Sequence, residues 1–139
     1  MTTLNADNYT KVASPDPINY LGCEWEGKVR AMYDTITLAS AVTGTLIACG
    51  TLRKGEVFIG CDLYCAAFGS GATLQLGDDT DDDRYMAAQE VATAGRVTGK
   101  EATAGFGYKA TADTVLYLKT GGIEMTGKIQ IIIKKLAQN

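Results

Sequence analysis

From residue 27 onward, hydrophobic and polar positions alternate with a period of two. Val29, Ala31 and Tyr33 alternate with Lys28, Arg30 and Met32, and Ile36 and Leu38 continue the run after Asp34. The clearest segment places Val57, Ile59, Cys61, Leu63 and Cys65 on one face and Phe58, Gly60, Asp62 and Tyr64 on the other. Ala72, Leu74 and Leu76 alternate with Thr73 and Gln75, and Val115, Tyr117 and Lys119 alternate with Leu116 and Leu118. A last strand carries Ile129, Ile131 and Ile133 opposite Lys128, Gln130 and Lys134. Successive side chains of a strand point to opposite faces, so this pattern predicts strands with one buried face. Turns are marked by Leu52-Arg53-Lys54-Gly55, Gly69-Ser70-Gly71 and Gly121-Gly122. One stretch, Arg84 to Val91, is rich in good helix formers and predicts a helical turn or two, ending at Ala94-Gly95. Roughly eight short strands separated by glycine turns predict an all-β fold over residues 27–139, either a compact β-sandwich or a jelly-roll-like barrel.

Residues 1–26 lack this periodicity. Ser14-Pro15-Asp16-Pro17 places two X-Pro steps close together, which favours extended backbone and blocks a helix. The segment is expected to form an extended N-terminal arm, with residues 1 to about 20 mobile in the free protein or ordered only against a neighbour. Tyr20, Leu21 and Trp25 are apolar enough to dock. Trp25, flanked by Glu24 and Glu26, reads either as a core residue between two solvated acids or as an anchor in a neighbour's pocket. Ile132 falls on the face otherwise occupied by Lys128, Gln130 and Lys134. The last strand is therefore expected to be central in its sheet or covered by a partner. Pro15, Pro17, Tyr20, Trp25 and Ile132 are the candidate contact residues.

Composition narrows the function. The chain has 139 residues, enough for one domain with a true core. Charged residues make up 21% and hydrophobic residues 46%, which excludes a disordered chain. Thirteen cations against sixteen acids give a net charge of −3, which argues against binding nucleic acid through phosphates. There is no histidine, which removes Ser-His triads and most zinc sites. The N-terminus carries no basic region followed by an apolar run, so no secretory signal is expected, and no apolar stretch is long enough to span a membrane. Cys23, Cys49, Cys61 and Cys65 form no CxxC pair and are expected to be buried thiols. Cys61 and Cys65, four apart on one strand, lie about 13 Å apart and cannot pair.

The sharpest local feature is Gly77-Asp78-Asp79-Thr80-Asp81-Asp82-Asp83-Arg84-Tyr85, with five aspartates in six positions. Asp78, Asp79, Asp81 and Asp83 are candidate oxygen ligands for a hard cation such as Ca²⁺, although the spacing is not that of an EF-hand. The same run reads equally as a solvated turn with Asp83 capping the following helical turn. Gly69-Ser70-Gly71 and Gly105-Phe106-Gly107 match no phosphate-binding loop. A carboxylate-pair hydrolase is allowed by residue type, but acids gathered in one loop offer it no cleft, and no catalytic residue is assigned. Tyr64, Tyr108 and Tyr117 are candidates for a flat sugar-binding platform.

Taken together, Leu52-Arg53-Lys54-Gly55, a hydrophobic strand, Gly77 with an acidic turn closing in Asp83-Arg84-Tyr85, then Gly105-Phe106-Gly107-Tyr108-Lys109, Thr111-Ala112-Asp113-Thr114 and a final Gly127-Lys128-Ile129 strand resemble a group of small virion proteins of tailed bacteriophages. These are the capsid decoration, or cement, proteins, and the resemblance spans roughly residues 50–135. It implies a compact β-sandwich and homotrimers on the outside of the head. It also implies an arm that bridges major capsid subunits, and assembly in the host cytoplasm. It brings no cofactor, no catalytic residue, no nucleic acid and no membrane. The same kind of module also serves in tail or fibre parts, which leaves a receptor- or carbohydrate-binding module as the alternative.

Overall fold

The computed structural model describes residues 28–137. Pro15, Pro17, Tyr20, Trp25 and Cys23, with the arm expected over residues 1–26, lie outside them. Eight strands follow one another: β1 (Lys28–Ala41), β2 (Leu46–Leu52), β3 (Val57–Cys65), β4 (Thr73–Gly77), β5 (Met86–Glu90), β6 (Gly95–Val97), β7 (Thr114–Gly121) and β8 (Met125–Ala137). They form two four-stranded sheets, ordered β1-β8-β3-β6 and β2-β7-β4-β5, with every pairing antiparallel. The chain changes sheet at each step except between β4 and β5. This order is the double Greek key of a jelly roll, which decides between the two architectures that the pattern allowed.

The core fills the space between the sheets. Ile129, Ile131 and Ile133 from β8 meet Leu116 and Leu118 from β7 and Leu74 and Leu76 from β4, all fully buried. Phe58, Tyr85 and Tyr108 close one end. The Phe58 and Tyr85 rings lie 4.7 Å apart, Tyr85 and Tyr108 meet edge to face at 5.9 Å, and the Arg84 guanidinium sits 4.5 Å above Tyr108. A buried ion pair anchors the β2–β3 turn: Lys135 Nζ donates to Glu56 Oε1 at 2.8 Å and to the Thr51 carbonyl, while Glu56 Oε1 also accepts the Arg53 amide. Lys134 and Lys135, adjacent in sequence, thus serve opposite faces of β8.

Three local expectations are corrected. Arg84 to Val91 is not helical: Met86–Glu90 is the edge strand β5, paired with β4. Its helix formers are overruled by burial of Tyr85, Met86 and Val91 and by the bonds from the Tyr85 amide to the Leu76 carbonyl and the Val91 amide to the Ala72 carbonyl. In β3 the strict alternation breaks at a bulge between Phe58 and Gly60, opposite Lys135 and Lys134. The extra residue switches parity, so Phe58 joins Cys61, Leu63 and Cys65 in the core while Val57 and Ile59 are only half-buried. In β1 the core face is Met32, Ile36 and Leu38, and Val29, Ala31 and Tyr33 point outward. β8 is central, between β1 and β3. Among the described residues no helix is long and apolar enough to cross a membrane.

Candidate functional site

The acidic loop joins β4 to β5, and its organiser is Asp78. Gly77 lets the backbone of Asp81 and Asp82 close over it, where any side chain would collide. Asp78 Oδ1 accepts the Thr80 amide and hydroxyl and the Asp81 amide. Its Oδ2 accepts Arg84 Nε at 2.9 Å and the Tyr85 hydroxyl at 2.9 Å. Burial opposes ionisation of this carboxyl, but the hydroxyls of Thr80 and Tyr85, the Thr80 amide and the Arg84 charge outweigh it and hold its pKa below the ordinary range. Burial, and then the Asp78 carboxylate, keep the Tyr85 phenol protonated. Asp78 therefore points inward with its lone pairs engaged.

The carboxylates that converge are Asp81, Asp82 and Asp83, within 4.8 Å of one another, whereas Asp79 is exposed beside them. Asp82, which the residue pattern did not single out, forms an ion pair with Lys119 from β7 at 2.7 Å. Hydrogen bonding to Asp81, then desolvation, and then the like charges of Asp81 and Asp82 raise the Asp83 pKa. Asp83 caps no helix; its amide donates to Asp81 Oδ1. The oxygens of Asp81, Asp82 and Asp83 are the set available to a hard cation, with Lys119 as an internal competitor for Asp82.

The second constellation lies on the outer face of the β1-β8-β3-β6 sheet. Direct cross-strand partners share a face, so Tyr33, Ile132 and Asp62 form one row, and Thr35, Gln130, Tyr64 and Arg96 form the next. An open depression of about 290 Å³ sits among them. Tyr33 and Tyr64 rise on either side, 62% and 58% exposed, with Ile132 half-buried between. Asp62 is buried at one end. Its oxygens accept the Thr98 hydroxyl, Arg96 Nη2 at 3.0 Å and Lys134 Nζ at 3.3 Å. The Thr98 hydroxyl, together with the two cations, lowers its pKa against the opposing effect of burial. Gln130 Nε2 donates to the Tyr33 hydroxyl at 2.8 Å, which also accepts from Thr35.

This arrangement redistributes the candidate sugar platform. Tyr64 stands on one outer face and Tyr117 on the other, while Tyr108 packs under Arg84, so the three do not converge. Tyr33 is the residue that joins Tyr64. Its outward direction was hidden because Val29, Ala31 and Tyr33 look like a core face until Met32, Ile36 and Leu38 are seen to share the opposite parity. Cys49, Cys61 and Cys65 are packing residues: burial pushes Cys49 and Cys61 up to about 12 and Cys65 to about 11. No disulfide links the described residues.

No protein-family model and no curated protein sequence matches the chain. Solved structures do. A chain of the cyanophage Pam1 capsid asymmetric unit aligns with 81% of this chain and 86% of its own length, at TM-score 0.65 and 21% identity. A chain of the Ralstonia phage GP4 capsid covers the same shares at TM-score 0.64 and 22% identity. A chain of the acid-stable capsid of Helicobacter pylori bacteriophage KHP30 covers 80% and 89%, at TM-score 0.60 and 12% identity. The fold described above is shared with these chains over most of their length.

Proposed function

We propose that this protein is a non-enzymatic structural component of a tailed-phage virion. It binds the outside of the capsid and stabilises the head by bridging major capsid subunits. The observation that carries this reading is the jelly roll it shares, over four-fifths of the chain, with chains of three phage capsid structures. The motif order from Leu52 to Ile129, which resembles capsid decoration proteins, supplies the finer assignment and the homotrimeric state. In this reading the protein needs no cofactor and binds neither nucleic acid nor membrane. The experiment is co-sedimentation of purified protein with empty heads of the source phage, together with sedimentation equilibrium of the protein alone. Stoichiometric, saturable binding by a trimer is expected. Free protein in the supernatant at saturating head concentration refutes the capsid role, and a monomer both free and on the head refutes the trimer.

The depression between Tyr33 and Tyr64 favours a second reading, a receptor- or carbohydrate-binding module of a tail or fibre. Jelly rolls also build lectin domains, and aromatic rings beside Asp, Arg and Gln are the groups that grip a sugar. Binding on a glycan array that is lost in Tyr64→Ala selects this reading over the first.

A further inference from the structure

The outer face of the β1-β8-β3-β6 sheet carries an unbalanced charge. Lys128 and Lys134 share the outer side of β8 with Gln130 and Ile132, and Arg96 of β6 aligns with Tyr64. Among the strand residues described, Asp62 is the one carboxylate on that side. Lys28, Arg30 and Asp34 have the opposite parity in β1, and Glu101, in the loop after β6, accepts the Cys61 amide at 3.0 Å along the β3 edge. Asp62 holds Arg96 and Lys134 together at one end of the depression between Tyr33 and Tyr64, and cancels one of their two charges. Both cations stay open to solvent, their side chains 56% and 45% exposed. Arg96 uses only Nη2 among the described residues, so its remaining N–H groups have no protein partner there. At the other end, Thr35 and Gln130 both donate to the Tyr33 hydroxyl, which leaves its own proton free for a further acceptor.

We infer that this depression binds a carboxylated pyranose, a uronic or sialic acid unit of a glycan, with its carboxylate at Arg96 and Lys134. The inference rests on the second reading above and names its ligand class. A pyranose has an apolar face that packs on an aromatic ring, and Tyr33 and Tyr64 present two such rings with Ile132 between them. Its hydroxyls both donate and accept, which matches the Gln130 side-chain carbonyl and the Tyr33 proton. Its carboxylate calls for paired N–H donors, and a guanidinium offers them in a planar fork. Because Asp62 already holds Arg96 in place, less side-chain freedom is lost when the ligand arrives. A neutral sugar would leave the uncancelled charge without a partner. The volume, about 290 Å³, lies at the lower end of ligand sites and suits one or two sugar rings.

Titration calorimetry of the full chain tests this with two matched pairs of probes: oligogalacturonate against its methyl ester, and sialyllactose against lactose. At least one acidic probe is expected to bind at least about tenfold tighter than its neutral counterpart, the worth of one charge-assisted hydrogen bond. Tyr64→Ala should abolish binding, and Arg96→Gln should reduce the acidic probe to the level of the neutral one, with the far-ultraviolet β signal retained in both. Tyr117→Ala, on the outer face of the other sheet, should leave binding unchanged. If Arg96→Gln does not fold, the comparison of acid with ester on the wild type decides. Equal binding of acidic and neutral probes overturns the carboxylate claim and leaves the sugar reading standing. No binding by any probe overturns both. Loss in Tyr117→Ala but not in Tyr64→Ala places the site on the other sheet and overturns the inference, as does competition by inorganic sulfate at the same concentration, which would assign the cations to any anion.

Discussion

Asp78 shows how one side chain shapes the acidic loop. Its five hydrogen bonds tie residues 80–85 to the end of β4, and Arg84 then reaches Tyr108. Because its folded pKa lies below the ordinary value of about 3.9, the stabilisation is fully present above that value and is lost as pH falls toward the folded pKa. Asp78→Asn is expected to cost about 1.5–3 kcal/mol at pH 7, with the deficit narrowing below pH 4, as read by urea melts across that range. A deficit constant with pH contradicts the charge-based account. Lys135 makes a second case. Removing one partner of a buried ion pair typically costs about 3–5 kcal/mol, so Lys135→Met should be severe. Adding Glu56→Gln keeps an acceptor for the Arg53 amide and removes the orphaned charge, and should recover most of the loss. Cys49, Cys61 and Cys65 give the third. In a Cys23→Ser background their burial predicts that a thiol reagent at pH 8 labels them only as fast as the protein opens, so labelling should speed up with mild denaturant.

At the scale of elements, the turns carry more specification than their composition suggests. Gly122, with φ +84°, packs against the Gly71 carbonyl so tightly that a Cβ would overlap it, whereas Gly44, with φ +88°, has open space around it. Gly44→Ala should therefore cost only the left-handed backbone penalty of about 1–2 kcal/mol, and Gly122→Ala clearly more, in parallel thermal melts. Equal costs would mean that the β7–β8 turn is free to shift. The same contrast explains what was legible beforehand. The alternation of β4, β7 and β8 survived folding intact, because each has one face against a core of matched leucines and isoleucines. The β3 bulge was not legible, since an inserted residue leaves no trace in composition. β5 was not either: its residues are good helix formers, and the burial of Tyr85, Met86 and Val91 together with pairing to β4 made it a strand. The acidic run was visible, but the inward turn of Asp78 depended on Gly77 and Tyr85, and the Tyr33–Tyr64 pairing needed the register of three strands.

For the whole molecule, the jelly roll of residues 28–137 offers two outer faces and four edge strands, β1, β6, β2 and β5, to an assembly. Ile132 illustrates the consequence. β8 is central, one of the two placements its apolar residues allowed, yet its outer side still presents an isoleucine beside two exposed tyrosines, and burying such surface contributes about 25 cal/mol per Å². Crowded attachment sites on a head would add effective concentration to that contact. The proposed place of the protein is the outside of a capsid, and cryo-electron microscopy of the source virion is the test. The account predicts outer-surface density over the joints between major capsid subunits that accommodates the two four-stranded sheets of residues 28–137. Heads bare of such density, with the chain found instead in the tail or fibres, would contradict it.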